Sequence, residues 1–365
     1  MKILQVGLSY NHGGIESCIM NYYREFVGRG VQFDFISIHS TLACEDEIKK
    51  LGGKIFYIPN MKQHPIKYKK AMEKIILQGN YDVIYVNMLS AANILPLSVA
   101  NKCGCKKIVA HSHNNDTPGI HRKILHRLNK RKVGRYATDL VACSKSAAQF
   151  MFGDKLCGEA KIVNNGISVE RFLFSEEKRR KIQNELGLSD KNMVVGHVGR
   201  FQYQKNQTFL VDIFYELQKK KPEAKLILVG DGPGRGSIQE KVDSLKISDK
   251  VVFLGERQDV EEILCAMDVM VFPSRFEGLG MVVIEAQCAG LPVVCSDVLV
   301  DETKVLEQYE KVSLSQTPET WAEIVLKWYK GPNRAEDNYL VRKQMEEKGY
   351  DIKKESEKLW EILKR

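Results

Sequence analysis

The sequence predicts an α/β protein built from two doubly wound, Rossmann-like domains. Short Val- and Ile-rich runs alternate with longer amphipathic stretches along the whole chain, the pattern of parallel strands covered on both faces by helices. These runs fall into two series, separated by the polar, charged segment Ser168 to Asn192. A length of 365 residues is too great for one typical domain and suits two of comparable size.

The first series reads KILQVG, VQFDFISI, KIFYI, DVIYVN, KKIVAHS, DLVACS and KIVNNG, and the second MVVGHVGR, AKLILVGDG, KVVFLGE, VMVFPS and PVVCSD. Between them "SEEKRRKIQNELGLSDKN" has the composition of a surface helix and turn, and the domain boundary is placed just before it. The N-terminal domain then covers residues 1–167 and the C-terminal domain 168–349. The tail has a helical pattern interrupted at Gly349 and Tyr350, and its stripe of Leu359, Trp360, Ile362 and Leu363 needs an apolar surface to pack on.

Apolar residues make up 44% of the chain and charged residues 28%, the profile of a globular protein with ample core. No apolar run approaches the roughly 18 residues of a membrane span. The opening MKILQVG reads as a buried strand rather than a signal peptide. The nine cysteines have no repeating spacing, and the pair Cys103 and Cys105 has no second pair to complete a zinc site, so reduced thiols and a cytoplasmic location are expected.

The formal charge of +9 is unevenly spread: Arg122 to Arg135, "RKILHRLNKRKVGR", holds seven Lys or Arg and no acid. Its plain interpretation is a solvated helix face, and its sharper ones are an anionic membrane surface or a nucleic acid. The segment lacks aromatic stacking residues and the chain lacks a nucleic-acid module, so the membrane is the better of the two and no nucleic acid is expected.

In doubly wound folds the loops at the carboxyl ends of the strands carry the chemistry. After the first strand, Gly13 and Gly14 precede a helical stretch, where backbone N–H groups can receive an anion or where a turn needs glycine. His111 and His113 leave another strand together, and alternation turns both to one side if the strand runs that far. No third ligand for a metal is identifiable, so a substrate-facing role is expected. In the second domain Gly199 ends a strand, and Arg200 and Lys205 follow at a helix start, a forked and a point cation suited to a diphosphate. The stretch LILVGDGPGRGS fails the dinucleotide fingerprint because Arg235 stands where the third glycine belongs, so a nicotinamide cofactor is not expected.

The stretch "PSRFEGLGMVVIEAQCAGLPVV" sets Glu277 and Glu285 around Gly278, Leu279 and Gly280. A helix starting at Gly280 presents first-turn N–H groups to an anion, and Glu285 lies about 7.5 Å further along its axis. Glu285 has Val282, Val283, Ile284 and Ala286 around it, poor company for a solvated carboxylate. Two carboxylates on either side of an anion-binding helix start match the layout sugar, diphosphate, ribose.

Over essentially its whole length the chain resembles the GT-B glycosyltransferases of family 4, especially bacterial exopolysaccharide and capsule enzymes. "HGGIE", "AHSHN", "GHVGRFQYQKN", "GDGP" and the Glu-x7-Glu stretch occur in the family's order. The resemblance implies two Rossmann-like domains facing a central cleft, with the C-terminal helix, 350–365, crossing back to the acceptor-binding N-terminal domain. It also implies transfer from a nucleotide sugar, UDP by family precedent, with retention of configuration and without a metal or other cofactor. No two aspartates stand in the Asp-x-Asp arrangement of the metal-dependent class.

On this resemblance Glu285 holds the donor ribose and Glu277 the donor sugar's hydroxyls, with same-face attack favoured over a covalent intermediate. Gly199, Arg200, Lys205, Gly278, Leu279 and Gly280 surround the diphosphate and sugar, with Gly13 and Gly14 approaching from the other domain. His111 is the first choice for the active-site histidine and His113 the second, Arg257 is placed near the base, and His113, Asn114 and Asn165 are placed on the acceptor side. The family's donor loop after PVVCSD is replaced by "VLVDETKV". The acceptor is expected to be a glycan or a saccharide on a polyprenyl diphosphate, which would bring the protein to the inner face of the cell membrane. The rivals are a GT-B transferase with a soluble acceptor and a non-catalytic partner subunit that binds a nucleotide sugar.

Overall fold

Among the described residues the chain forms thirteen strands, joined mostly by helices, and twelve of them are the Val- and Ile-rich runs. In the computed structural model, residues 1–365 are described except Asn11, His12, Ala43, Pro118, 330–337 and Arg365. The chain divides into two compact units, Met1–Ile167 with Gly349–Arg365, and Ser168–Lys348.

The first unit holds β1 (Lys2–Val6), β2 (Gln32–Ser37), β3 (Ile55–Tyr57), β4 (Val83–Met88), β5 (Ile108–Ser112), β6 (Asp139–Ala142) and β7 (Lys161–Ile162). They pair in the order β3-β2-β1-β4-β5-β6-β7, all parallel. Successive residues of β1 are buried on opposite faces: Leu4 packs with Ile84, Ala110 and Met151, and Ile3 with Tyr23, Phe33 and Phe35. A sheet buried on both sides needs strands that are apolar throughout, which is why they read as continuous runs.

The C-terminal helix Ile352–Leu363 belongs to this unit. Asp351 caps it, accepting from Lys353 N–H at 2.7 Å. Leu359, Ile362 and Leu363 join the Phe26 and Phe33 core, and Trp360 packs at 6.1 Å from the Phe26 ring. The entry to the helix is tied to the end of the N-terminal segment by Ile167 N–H to Tyr350 O and Ile352 N–H to Ile167 O, 2.8 and 3.0 Å. A Cβ on Gly166 would lie 2.7 Å from Ile352 Cα, so the close approach requires glycine. The tail stripe thus has its partner, and the terminal Arg365 lies outside the described residues.

The second unit holds β8 (Val194–Val198), β9 (Lys225–Val229), β10 (Val251–Gly255), β11 (Val269–Phe272), β12 (Val293–Ser296) and β13 (Tyr309–Val312), in the order β10-β9-β8-β11-β12-β13. β13 was absent from the sequence expectation because its middle residues, Glu310 and Lys311, are only half-buried at the sheet edge and break the apolar run. In both sheets the strand order reverses beside the first strand of the unit, between β1 and β4 and between β8 and β11, and such switch points open loops on opposite sides of a crevice. Among the described residues no helix is long and apolar enough to cross a membrane.

Candidate functional site

In the second unit the loops after β8, β9 and β11 form one hydrogen-bonded assembly. Gly199 N–H donates to Val229 O, Phe201 N–H to Asp231 O and Gly234 N–H to Phe201 O, each at 2.9 Å. The β9 turn can lie this close only because it is glycine-rich. A Cβ on Gly230 would stand 2.4 Å from Gly199 O and one on Gly232 2.5 Å from Phe201 O, and both have positive φ. The glycines that resemble a nucleotide fingerprint therefore serve backbone approach.

The β8 loop is laced to the β11 loop as well. Arg275 N–H donates to Gln204 O at 2.8 Å, Gln204 Nε2 to Phe276 O at 2.9 Å, and Asn206 Nδ2 to Pro273 O at 3.1 Å. Beneath them His197 and Gln207, which the sequence reasoning did not single out, fix the loop's start. His197 Nδ1 donates to Val271 O at 3.0 Å, and Gln207 Nε2 donates to Arg200 O at 3.0 Å. Burial pulls His197 down to about 4, with Lys205 adding to the effect and the Val271 hydrogen bond opposing it, so the ring is neutral. A polar pair, His197 and Gln207, flanking a Gly-Arg loop was the available signal.

This scaffold brings Lys205 and Glu277 together. Lys205 Nζ lies 2.7 Å from Glu277 Oε1 and 4.5 Å from the centroid of the Phe272 ring, and the two side chains are only 14% and 6% exposed. Two groups assigned to different parts of a donor thus form one ion pair. Arg200, by contrast, is exposed, and its guanidinium has no ion pair or side-chain hydrogen bond among the described residues.

Gly278 and Leu279 lead into the helix Met281–Cys288, and Gly280 caps it in the left-handed conformation, φ 64° and ψ 56°, without a side-chain cap. The first-turn N–H groups therefore have no side-chain acceptor, and the first turn carries no acid. On the same helix burial raises Glu285 to about 7, against the lowering effect of Arg171 and with the help of Glu261. Its carboxyl has no hydrogen-bond partner among the described residues, an arrangement that would suit a ligand hydroxyl.

Arg257, expected near the base, is held in ion pairs. Its guanidinium is forked between Glu185 and Asp259, both at 2.6 Å, which raises its pKa and satisfies its donors. Arg257 thus clasps Glu185 and Asp259 together.

In the first unit the helix Gly14–Val27 begins after Gly13, which is extended. The buried Glu16 folds back over this start: Oε1 accepts Ser9 N–H at 2.8 Å, and a Cβ on Gly13 would meet Oε2 at 2.9 Å. A carboxylate thus sits at the positive end of the helix whose start, Gly13 and Gly14, was expected to approach the diphosphate. His12 of the same motif lies outside the described residues.

The two histidines do turn to one side, their ring centroids 3.9 Å apart, but their depths differ. His111 is inside β5 and 1% exposed, and its Nδ1 is 2.8 Å from the Tyr85 hydroxyl. Burial, with His113 beside it, holds it well below the usual imidazole range, and its Nε2 is buried without a partner. His113, the second choice, lies just past the strand and is less deeply buried. Its Nε2 donates to Asn87 Oδ1 at 2.9 Å, and Asn87 is fixed by donating to Gln5 Oε1 and Val6 O at 2.9 and 3.2 Å. Burial lowers His113 to about 4, with Asn165 opposing, leaving Nδ1 as an acceptor without a partner. Asn165 is buried and accepts from Cys18 Sγ at 3.2 Å, while Asn114 Oδ1 accepts Asn115 N–H within its own loop. The structure therefore gathers His113, Asn87 and Asn165, with Asn114 half-buried in the loop directly after His113. No group of three or more His, Cys, Asp or Glu among the described residues is placed to hold a metal ion.

Comparison with known proteins follows the same division. Residues 178–350 match the profile of the family described as Glycosyl transferases group 1, and residues 12–171 that of Glycosyltransferase Family 4. EpsF of Bacillus subtilis strain 168, named as a glycosyltransferase, is 31% identical over 333 residues, 89% of this chain and 86% of its own. An Escherichia coli UDP-Gal:alpha-D-GlcNAc-diphosphoundecaprenol alpha-1,3-galactosyltransferase is 23% identical over 256 residues, 67% of this chain and 66% of its own. The crystal structure of Anabaena HepE with UDP and glucose superposes with a TM-score of 0.80 at 20% identity, covering 100% of this chain and 99% of that one. With two parallel-sheet units, the motif loops at their switch points and a relative of this similarity along nearly the whole chain, the protein belongs to the family 4, group 1 glycosyltransferases of the GT-B fold.

Proposed function

We propose that the protein transfers a sugar from a UDP-linked donor, with retention and without a metal, to a glycan or a saccharide carried on a polyprenyl diphosphate. The observation that carries this reading is the Lys205–Glu277 pair, set between the open guanidinium loop of Arg200 and the uncapped helix start at Gly280. Arg200, Lys205 and the first-turn N–H groups receive the diphosphate. Glu277 accepts from donor-sugar hydroxyls, and Glu285 from the ribose. In the reaction the bond from C1 to the diphosphate oxygen breaks, and the acceptor oxygen bonds C1 on the same face. The acceptor's proton passes to the departing phosphate oxygen. Fixed cations and N–H dipoles stabilise that oxygen without reorganisation, the largest single contribution in many enzymes.

His113 rather than His111 is the histidine of the site, with Asn165 beside it and the first unit taking the acceptor. Neutral at physiological pH, His113 keeps its Nδ1 lone pair buried and unpartnered, as His111 keeps its Nε2. The UDP and lipid-linked parts of the proposal draw support from the E. coli galactosyltransferase, whose name specifies UDP-Gal and a diphosphoundecaprenol acceptor, and from the UDP bound by HepE. A role in exopolysaccharide or capsule assembly at the inner membrane face follows, with the basic helix near residues 122–135 meeting anionic lipid.

The test is a panel of nucleotide sugars and polyprenyl-diphosphate saccharides incubated with purified protein, with products identified by mass and anomeric configuration by NMR. One product, unaffected by EDTA, is expected. Inversion, or activity lost to EDTA and restored by Mg2+ or Mn2+, would refute the corresponding part of the proposal.

A further inference from the structure

The helix Ile120–Tyr136 is held to the first unit by little of its surface: His126 and Val133 are its buried residues. His126 accepts Ala91 N–H at Nδ1 and donates from Nε2 to Phe150 O, at 3.0 and 3.1 Å, while its ring stacks on that of Phe150. At about 100° per residue these two anchors define the inward direction. The opposite side carries Ile120, Ile124 and Leu128, spaced i, i+4, i+8, which are 75%, 52% and 64% exposed, with Leu125 beside them at 47%. A solvated helix does not gather large aliphatic side chains on its outer face. Next to this stripe runs Arg127, Arg131 and Arg135 at the same spacing, exposed and without side-chain partners among the described residues. Lys123 and Lys130 are engaged instead with Asp116, 3.5 Å, and the Gln149 carbonyl, 2.9 Å.

We propose that this helix is an in-plane bilayer anchor: the Ile120, Ile124 and Leu128 stripe enters the acyl boundary of an anionic membrane while the row Arg127, Arg131 and Arg135 binds headgroup phosphates. The assignment rests on the membrane reading above and deepens it, since attraction by charge alone needs no aliphatic stripe. A helix of 17 residues rich in Lys and Arg cannot span a bilayer, whereas an apolar face bordered by cations is the interfacial pattern. A second copy of the chain would bring the same arginine row against itself, so charge complementarity selects anionic lipid over self-association.

The test uses the full chain sedimented with phosphatidylglycerol–phosphatidylcholine vesicles and with phosphatidylcholine alone, at about 0.1 M and about 0.5 M NaCl. Binding to the anionic vesicles is expected to persist at the higher salt. The pair Ile124→Ser and Leu128→Ser should lower the salt-resistant affinity by about tenfold or more. Both positions are exposed, so circular dichroism and transfer to a water-soluble acceptor should be unchanged. Arg131→Gln with Arg135→Gln should instead weaken binding mainly at low salt. Binding that salt abolishes and the serine pair leaves intact overturns insertion while sparing the charge-only reading, and no binding at low salt overturns both. A dimer in sedimentation velocity that the serine pair dissolves overturns the anchor in favour of self-association. Vesicle binding by a protein that transfers no sugar supports the anchor while refuting the proposed reaction.

Discussion

Lys205 and Glu277 lie 72 residues apart in sequence, yet they meet at 2.7 Å because two loops share four hydrogen bonds around them. Each residue type was legible in its motif, but their pairing was not, since a motif gives order along the chain and not contact between loops. The consequence is a preset carboxylate and an ammonium whose charge, under the proposed function, a donor phosphate would share. Lys205→Ala and Glu285→Ala are each expected to lower turnover about 10²–10³-fold with the circular dichroism spectrum preserved; unchanged turnover in either would remove that residue from the donor site. Glu285 also carries a pH signature. Its folded pKa, about 7, is raised above the ordinary carboxylate value, so its share of stability is present below about pH 4.5 and is lost as pH rises through 7. Glu285→Gln should therefore be more stable than the parent at pH 8, by on the order of 2 kcal/mol after allowance for partial exposure, with the gap closing near pH 4.5. Urea melts across that range measure it. For the histidines, alternation correctly puts His111 and His113 on one side, but the sequence cannot say that β5 ends between them. That single residue of strand length decides which ring is interior.

Elements were legible wherever burial is symmetric. Twelve of the thirteen strands correspond to apolar runs, because a parallel strand covered on both faces has no polar side to interrupt it. β13 escapes because one edge lacks a neighbour, and polar residues are tolerated there. The linker helix Glu176–Leu186 reads as a surface helix, and most of it is, but Arg179 is buried from its inner face. Arg179 NH2 lies 2.9 Å from Asp268 Oδ1, while NH1 donates to the carbonyls of Cys265 and Met267, and Asp268 Oδ2 accepts Val194 N–H at 2.8 Å. A run of charges gives no hint of which member turns inward to fasten β8 and β11 at their starts. Arg179→Ala should cost about 3–5 kcal/mol in urea melts of the second unit, since it strands a buried carboxylate. Arg180→Ala on the same helix, where the pairs to Glu176 and Asp190 are exposed, should cost less than about 1 kcal/mol.

At the scale of the whole chain, the path enters the second unit after Ile167 and returns to the first at Gly349, so residues 349–365 complete a core begun by residues 1–167. Glu355 is buried and accepts Asn164 N–H at 2.8 Å, Arg29 pairs with Glu357 at 2.5 Å, and Lys107 donates to the Ile362 carbonyl. The apolar stripe was visible in the sequence, whereas the polar contacts that set its register depend on residues over a hundred positions away. This arrangement predicts unequal consequences of truncation. Removing residues 349–365 uncovers Phe26, Phe33 and Ile19 in the first unit and should abolish its cooperative melting while the second unit keeps its own transition. Leu359→Ala is the graded version, expected to cost the first unit about 2–5 kcal/mol and to leave the second unit unaffected. Differential scanning calorimetry, with NMR of the second unit as the reference, reads both. If truncation lowered both transitions equally, the helix would be acting on the whole chain, and its assignment to the first unit's core would have to be given up.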